Sequence, residues 1–201
     1  MSWIQHPLIL EGQKVILVPL ERKHFDGHAE LAKNKDIWTW YHYDGTNKDT
    51  LVKNLEDTLT LFDRGEQYPF TVIDKLKGKI IGTTRFLRIN PEFRNLEIGA
   101  TWYNPDYWSK GYNEECKLLL LTYCFETLHC VRVQFTAWDK NLRSRKAIER
   151  IGAKFEGIMR NAGIRLGEVR SNACYSIIIE EWDEVKDTLQ GLIKIRQATT
   201  V

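Results

Sequence analysis

The sequence predicts a mixed α/β (α+β) domain: a mostly antiparallel central sheet with one parallel strand pair and flanking helices. Three observations carry this. Two strand-like runs, "LEIGATWY" (96–103) and "VRVQFTAW" (131–138), bracket an apolar helical segment. Such a strand–helix–strand crossover makes a parallel, right-handed pair. A hairpin signal, "YPFTVID" and "KIIGTTRFLRI" around "KLKG", together with two late strand runs, makes the rest of the sheet antiparallel. A chain of 201 residues with 43% hydrophobic content fills one well-packed domain, so residues 1–201 are read as one unit.

Taken in order, "KVILVPL" (14–20) reads as a strand and "ERKHFDGHAELAKN" (21–34) as a helix that Gly27 weakens. "DIWTWYHYDG" (36–45) is dense in aromatics and ends in a turn. "NKDTLVKNLEDTLTLF" (47–62) places Leu51, Leu55, Leu59 and Phe62 on one helical face. The hairpin follows, then the strand at 96–103. Alternation there puts Leu96, Ile98, Ala100 and Trp102 on one face and Glu97 on the other. A helix starts after Gly111 and runs to about Thr127. "NLRSRKAIER" (141–150) is a short helix with Asn141 as N-cap and Gly152 at its stop. "AKFEGIMRNA" and "EVRSNACYSIIIE" are two closing strands, and "EWDEVKDTLQGLIKI" is a final helix.

Charge and composition exclude several classes. The net charge is +2, with 29 Lys and Arg mixed among 27 Asp and Glu, so neither a nucleic acid nor an anionic membrane is expected as a partner. The four cysteines, at 116, 124, 130 and 174, form no CxxC and have no histidine at metal-ligand spacing. They read as buried, reduced thiols, and no metal is expected. The N-terminus lacks the basic and apolar regions of a signal peptide. The run Leu118–Leu121 lies in a segment broken by Lys117 and Glu126, too short to span a bilayer. These features predict a soluble, cytoplasmic protein.

The junction "PDYWSKGYNEECKLLLL" (105–121) carries the first chemical signal. A helix that begins after Gly111 leaves its first N–H groups without partners, and its dipole adds partial positive charge there. Glycine lets a ligand approach the backbone closely. Together these features make an anion site suited to a phosphate, with Lys110 as an added charge. Taken alone, most glycines before helices are only turns or caps. A second polar helix start, "DKNLRS" (139–144), follows the other strand of the parallel pair, so the two starts converge on one ligand.

The blocks "LEIGATWYNPDYWSKGYNEECKLLLL" and "VRVQFTAWDKNLRSRKAIERIGAKFEGIMR" resemble the GNAT superfamily of acyl-CoA-dependent N-acyltransferases. The chain is similar to the RimJ/RimL branch, the N-terminal acetyltransferases of ribosomal proteins. The resemblance implies that the two strands splay apart and hold the pantetheine of acetyl-CoA between them. It implies cofactor contacts at Trp102, Tyr103, Trp108, Lys110, Gly111, Tyr112, Asn113, Asn141 and Ser144. Of the family's pyrophosphate loop (Arg or Gln, two residues, Gly, one residue, Gly or Ala), only Gly111 fits fully. Trp108 takes the first position and Asn113 the last small one. Donation from main-chain N–H groups does not depend on those side chains.

Acetyl transfer to an amine needs a neutral nitrogen, a stabilised oxyanion and a proton for the leaving thiolate. An α-amino group, with a pKa of about 7.7–8.0, is partly neutral at pH 7, whereas lysine at about 10.4 is not. Glu97 is the candidate base, the alternative being an ordinary paired strand glutamate. Where many GNAT enzymes carry an acidic tyrosine, seven residues after Asn141, this chain has Ile148. Ser144 remains as a hydrogen-bond donor to the sulfur, or as a first-turn capping serine. Trp38, Trp40 and Tyr41 lie in the region of the family's acceptor loops, and form either a substrate wall or core packing. The predicted partner is a primary amine: a protein or peptide N-terminus first, a small-molecule amine next. A homodimer is implied by resemblance only. The rival reading is a non-catalytic acyl-CoA-binding sensor module, and a plain structural protein is a more distant one.

Overall fold

The structure is a computed structural model that describes residues 3–165 and 167–198. Eight strands form one sheet in the order β1-β2-β3-β4-β5-β6-β8-β7. They are β1 (Leu10–Glu11), β2 (Val15–Pro19), β3 (Gln67–Asp74), β4 (Lys79–Asn90), β5 (Asn95–Tyr103), β6 (Arg132–Trp138), β7 (Lys154–Arg165) and β8 (Glu168–Ile178). Every neighbouring pair is antiparallel except β5 and β6. The short β1 has too little alternation to be legible in the sequence.

Five α-helices flank the sheet: α1 (Phe25–Ala32), α2 (Lys48–Asp63), α3 (Tyr112–Thr122), α4 (Leu142–Arg150) and α5 (Trp182–Ala198). A π-turn, Tyr123–Thr127, prolongs α3 to the predicted end at Thr127. Helix α2 starts where the Asn47 side chain accepts from the Thr50 N–H. It buries Leu51 and Leu55 completely, at roughly 1.5–3 kcal/mol each. One core, on the α3 and α5 side, contains Leu96, Ile98, Tyr103, Leu120, Leu121 and Leu189. The other, under α1 and α2, contains Phe25, Trp38, Leu51, Leu55 and Trp102.

Those two cores correct the predicted alternation of β5. Leu96 and Ile98 face one core, but Trp102 faces the other. The cause is a bulge. Ala100 sits at φ +46°, and between the pairs Arg85–Gly99 and Thr83–Trp102 strand β5 spends one residue more than β4. The extra residue inverts the alternation, so Trp102 shares the face of Glu97 while Tyr103 takes the face of Ile98.

Strands β5 and β6 pair over only three rungs, Asn95–Arg132, Leu96–Val133 and Glu97–Gln134. Beyond Glu97 the two diverge, leaving the facing backbone edges of 98–103 and 135–138 unpaired with each other. This divergence opens the site.

Candidate active site

A cleft of about 610 Å³ occupies the divergence. Its walls are Ile98–Tyr103 from β5 and Phe135–Trp138 from β6. Trp108, Asn113, Glu114 and Lys117 line it from the start of α3; Asn141, Arg143, Ser144 and Ile148 line it from α4; Trp40, Tyr41 and His42 stand at the side of the loop before α2. The two helix starts therefore do converge on one cleft, as their places after the two strands of the parallel pair predict.

Gly111 is the residue before α3, in a left-handed conformation at φ +86°. A Cβ there would be strained whatever the space around it. The first N–H groups of α3 point out of the helix with no intrahelical partner. Basic groups stand around this start. Lys14 donates its Nζ to the Lys110 carbonyl at 3.4 Å, and Arg196 comes within ion-pair distance of Glu114 at 3.8 Å. The two carboxylates in the first turn of α3 are both engaged by other groups. Glu115 accepts from the N–H groups of Gln13 and Lys14, tying α3 to the turn between β1 and β2, while Glu114 is shared by Arg150 and Arg196.

The site residues predicted for the cofactor divide into two groups. Trp102, Tyr103, Trp108, Asn113, Asn141 and Ser144 line the cleft. Lys110 and Gly111 lie at its end without lining it, and Tyr112 turns away, its hydroxyl donating to Asp74 at 3.2 Å. Trp108 is fixed by its indole N–H on the Tyr103 carbonyl, at 3.0 Å, and by the Arg143 guanidinium 3.8 Å above its ring. Asn141 caps α4, its side chain accepting from the Ser144 N–H at 3.1 Å. The Ser144 hydroxyl makes no hydrogen bond to a described residue.

Glu97 is buried at the base of the cleft, 4% exposed. Thr136 donates to its Oε1 at 2.6 Å, Gln134 reaches Oε2 at 3.4 Å, and Arg88 stands 3.3 Å from Oε2. Among the aromatics, Trp38 belongs to the core. It is 2% exposed, donates to the Ala32 carbonyl at 2.7 Å and packs on Trp102. Trp40 and Tyr41 are half-buried on the cleft wall, and the Tyr41 hydroxyl donates to the Ala100 carbonyl at 2.9 Å. Arg165 of β7 reaches across to the carbonyls of Trp38 and Tyr41, pinning this loop.

Sequence reasoning missed Lys117, Thr136 and Arg143. Lys117 had a legible signal: it sits three and four residues after Glu114 and Asn113, on the same helical face, and interrupts an apolar run. Thr136 and Arg143 had none, because their roles depend on which side chains lie across the cleft. All four cysteines are free, with Cys116, Cys124 and Cys130 buried. Among the described residues no group of His, Cys, Asp and Glu could hold a metal ion, and no helix is long and apolar enough to cross a membrane.

Relatives agree with this architecture. The chain is 30% identical over 121 residues to the uncharacterized N-acetyltransferase YnaD of Bacillus subtilis strain 168, covering 60% of this chain and 69% of that one. Its fold matches a crystal structure of a GCN5-related N-acetyltransferase from Brucella melitensis with a TM-score of 0.85 and 28% identity, over 93% of this chain and 86% of that chain. RimL, a ribosomal L7/L12 alpha-N-protein acetyltransferase, shares the fold at a TM-score of 0.76 and 18% identity, over 86% of this chain and 94% of its own. The model of the Acetyltransferase (GNAT) domain matches residues 14–154. With its splayed parallel strands, its glycine-capped helix and this match, the chain belongs to the GNAT acetyltransferase family.

Proposed function

We propose that this protein transfers an acetyl group from acetyl-CoA to a primary amine by direct attack in a ternary complex, and that the N-terminal amine of a protein or peptide is its first acceptor class. One observation carries the reading: the unpaired edges of β5 and β6, the start of α3 and the start of α4 all open onto one cleft. The fit to acetyl-CoA rests on this chain's own groups. The free N–H groups after Gly111 suit a pyrophosphate, and the unpaired backbone of β5 suits the amides of pantetheine. Arg143 and Trp108 form a stacked pair at the rim.

Acetyl-CoA supplies an activated thioester; the protein's residues do the rest. Glu97 takes a proton from the amine, directly or through water, and Arg88 and Thr136 hold its carboxylate in place. The backbone N–H groups around the Ala100 bulge meet the developing oxyanion. The Ser144 hydroxyl hydrogen-bonds the sulfur. An α-amine at a pKa of about 7.7–8.0 asks little of the base, which favours an N-terminus over a lysine. The shared fold with RimL supports the same acceptor class, and the RimJ/RimL branch is our assignment. Among the described residues the cleft's carboxylates are Glu97 and Glu114, both paired with arginine, which does not favour a polycation. A cytoplasmic setting fits the four free cysteines. Self-association through edge strand β7, where Phe155, Ile158 and Met159 are exposed, is the dimer we propose; light scattering tests it.

A second reading, an acyl-CoA-binding sensor, is favoured by the pairing of Glu97 with Arg88 and by the apolar Ile148 on α4. A thiol-release assay with acetyl-CoA across N-terminal peptides, polyamines and aminoglycosides separates the two. Release dependent on a peptide N-terminus supports transfer. Calorimetric binding of acetyl-CoA without release from any acceptor favours the sensor, and no binding ends both readings.

A further inference from the structure

Lys117 is a buried lysine in the cleft, paired with no carboxylate among the described residues. It is 5% exposed and projects from the second turn of α3. Its Nζ donates to the Thr101 hydroxyl at 3.1 Å, and Thr101 in turn shares a 2.8 Å hydrogen bond with Thr84. Among the described residues it makes no ion pair with a carboxylate. A lysine can donate three hydrogen bonds, so this one has donors to spare toward the cleft. A structural role would not call for a charge here, because burying an unpaired ammonium is costly.

We propose that Lys117 is the proton donor to the leaving group: its ammonium steadies the sulfur as the thioester opens and hands it a proton. The inference rests on the acetyl-transfer reading above. In the balanced step, the amine nitrogen forms a bond to the acyl carbon and the carbon–sulfur bond breaks, its electron pair passing to sulfur. Sulfur takes one proton from Lys117, and the nitrogen's surplus proton leaves through Glu97. The products are an amide and the free thiol of CoA, and neutral Lys117 is reprotonated from solvent.

The other titratable groups around the cleft are worse placed or worse suited. Glu97, from β5, is ionically paired with Arg88, and Glu114, one turn back on α3, is shared by Arg150 and Arg196. Burial drives the Tyr103 hydroxyl of β5 well above its ordinary value and the Cys116 thiol up to about 12. Burial also raises Tyr41, and lowers His42 on the acceptor-side loop. Arg143 and Arg150, on α4, do not release protons. Burial brings Lys117 down to about 8, so it is charged at neutral pH yet close to an ordinary thiol, at about 8.5.

The first arm of the test, a titration, needs no acceptor. The ultraviolet difference absorbance of the thiolate reports the pKa of CoA bound to the full chain. We expect bound CoA in Lys117→Met, and in Lys117→Gln as a second variant, to titrate at least about one unit higher than in the wild type, a roughly tenfold smaller ratio of thiolate to thiol. Lys117→Arg keeps the charge, so it retains the wild-type titration while its turnover falls. If the neutral variants bind CoA and titrate as the wild type does, Lys117 has no such role and the acetyl-transfer reading survives. If the wild type binds no CoA, both fall.

Discussion

Thr136 donates its hydroxyl to Oε1 of Glu97 at 2.6 Å, a side-chain bridge thrown across β5 and β6 just past the last rung where their backbones pair. It holds the carboxylate at the floor of the divergence. Arg88, from β4, braces the other oxygen at 3.3 Å. A base fixed from both sides is oriented before the substrate arrives.

Glu97→Gln is therefore expected to lower kcat roughly 100-fold, within the range of general-base contributions, while calorimetry finds acetyl-CoA affinity intact. Thr136→Val removes one brace and keeps the base, so a smaller loss is expected. Equal kcat in Glu97→Gln and the wild type would remove Glu97 from the chemistry.

Gly111→Ala tests the phosphate end. At φ +86° an added Cβ costs about 1–2 kcal/mol, and it would come within 3.4 Å of the Arg196 Cβ. A lower Tm and an acetyl-CoA affinity about tenfold weaker, or ~1.4 kcal/mol, are expected. A lower Tm with unchanged affinity would locate the phosphates elsewhere.

Asn141 has one visible duty, capping α4 on the Ser144 N–H. Asn141→Ala should lose about 1 kcal/mol of stability in thermal unfolding, and Asn141→Asp should recover it. Turnover distinguishes the roles. If the side-chain amide also touches acetyl-CoA or the amine, Asn141→Asp regains Tm and not rate; recovery of both would leave Asn141 a cap alone.

His28 sets an acid limit on the fold. It is fully buried between α1 and the sheet, bonded through Nε2 to Thr71 at 3.1 Å, and burial pushes its pKa from 6.5 down to about 3. Because the folded value lies below the unfolded one, the neutral imidazole's contribution is complete above pH 6.5. It is lost as pH falls toward 3, at about 1.4 kcal/mol per pH unit. Denaturant unfolding of His28→Gln between pH 7 and 4 should give a shallower decline than the wild type. Some slope will remain, since His24, linked through Thr71, is also lowered by burial. Parallel declines would mean that His28 does not carry the effect.

The elements of this fold were largely legible because periodicity reports burial directly. Leu51 and Leu55 of α2 and the alternation of Val133, Phe135 and Ala137 in β6 read as they fold. Asn141 and Gly152 marked the ends of α4 by local backbone chemistry. The β5 alternation failed at Ala100. A bulge is chosen by pairing with β4, and alanine carries no sign of it. Trp38 and Trp40 lie two residues apart in one aromatic run; one fills the core and the other lines the cleft.

By itself, the sequence determined the order of the helices and of every strand but β1, the parallel crossover and the position of the glycine-capped helix. Each of these follows from neighbours along the chain, where side-chain size, period and capping act over a few residues. Only the tertiary structure decided that β5 and β6 part after three rungs, that Thr136 and Arg88 bracket Glu97, and that Lys117 is buried with no carboxylate paired to it among the described residues. Those are distances between groups far apart in the chain, and they are fixed by the packing of one sheet against five helices rather than by any local preference of the residues involved.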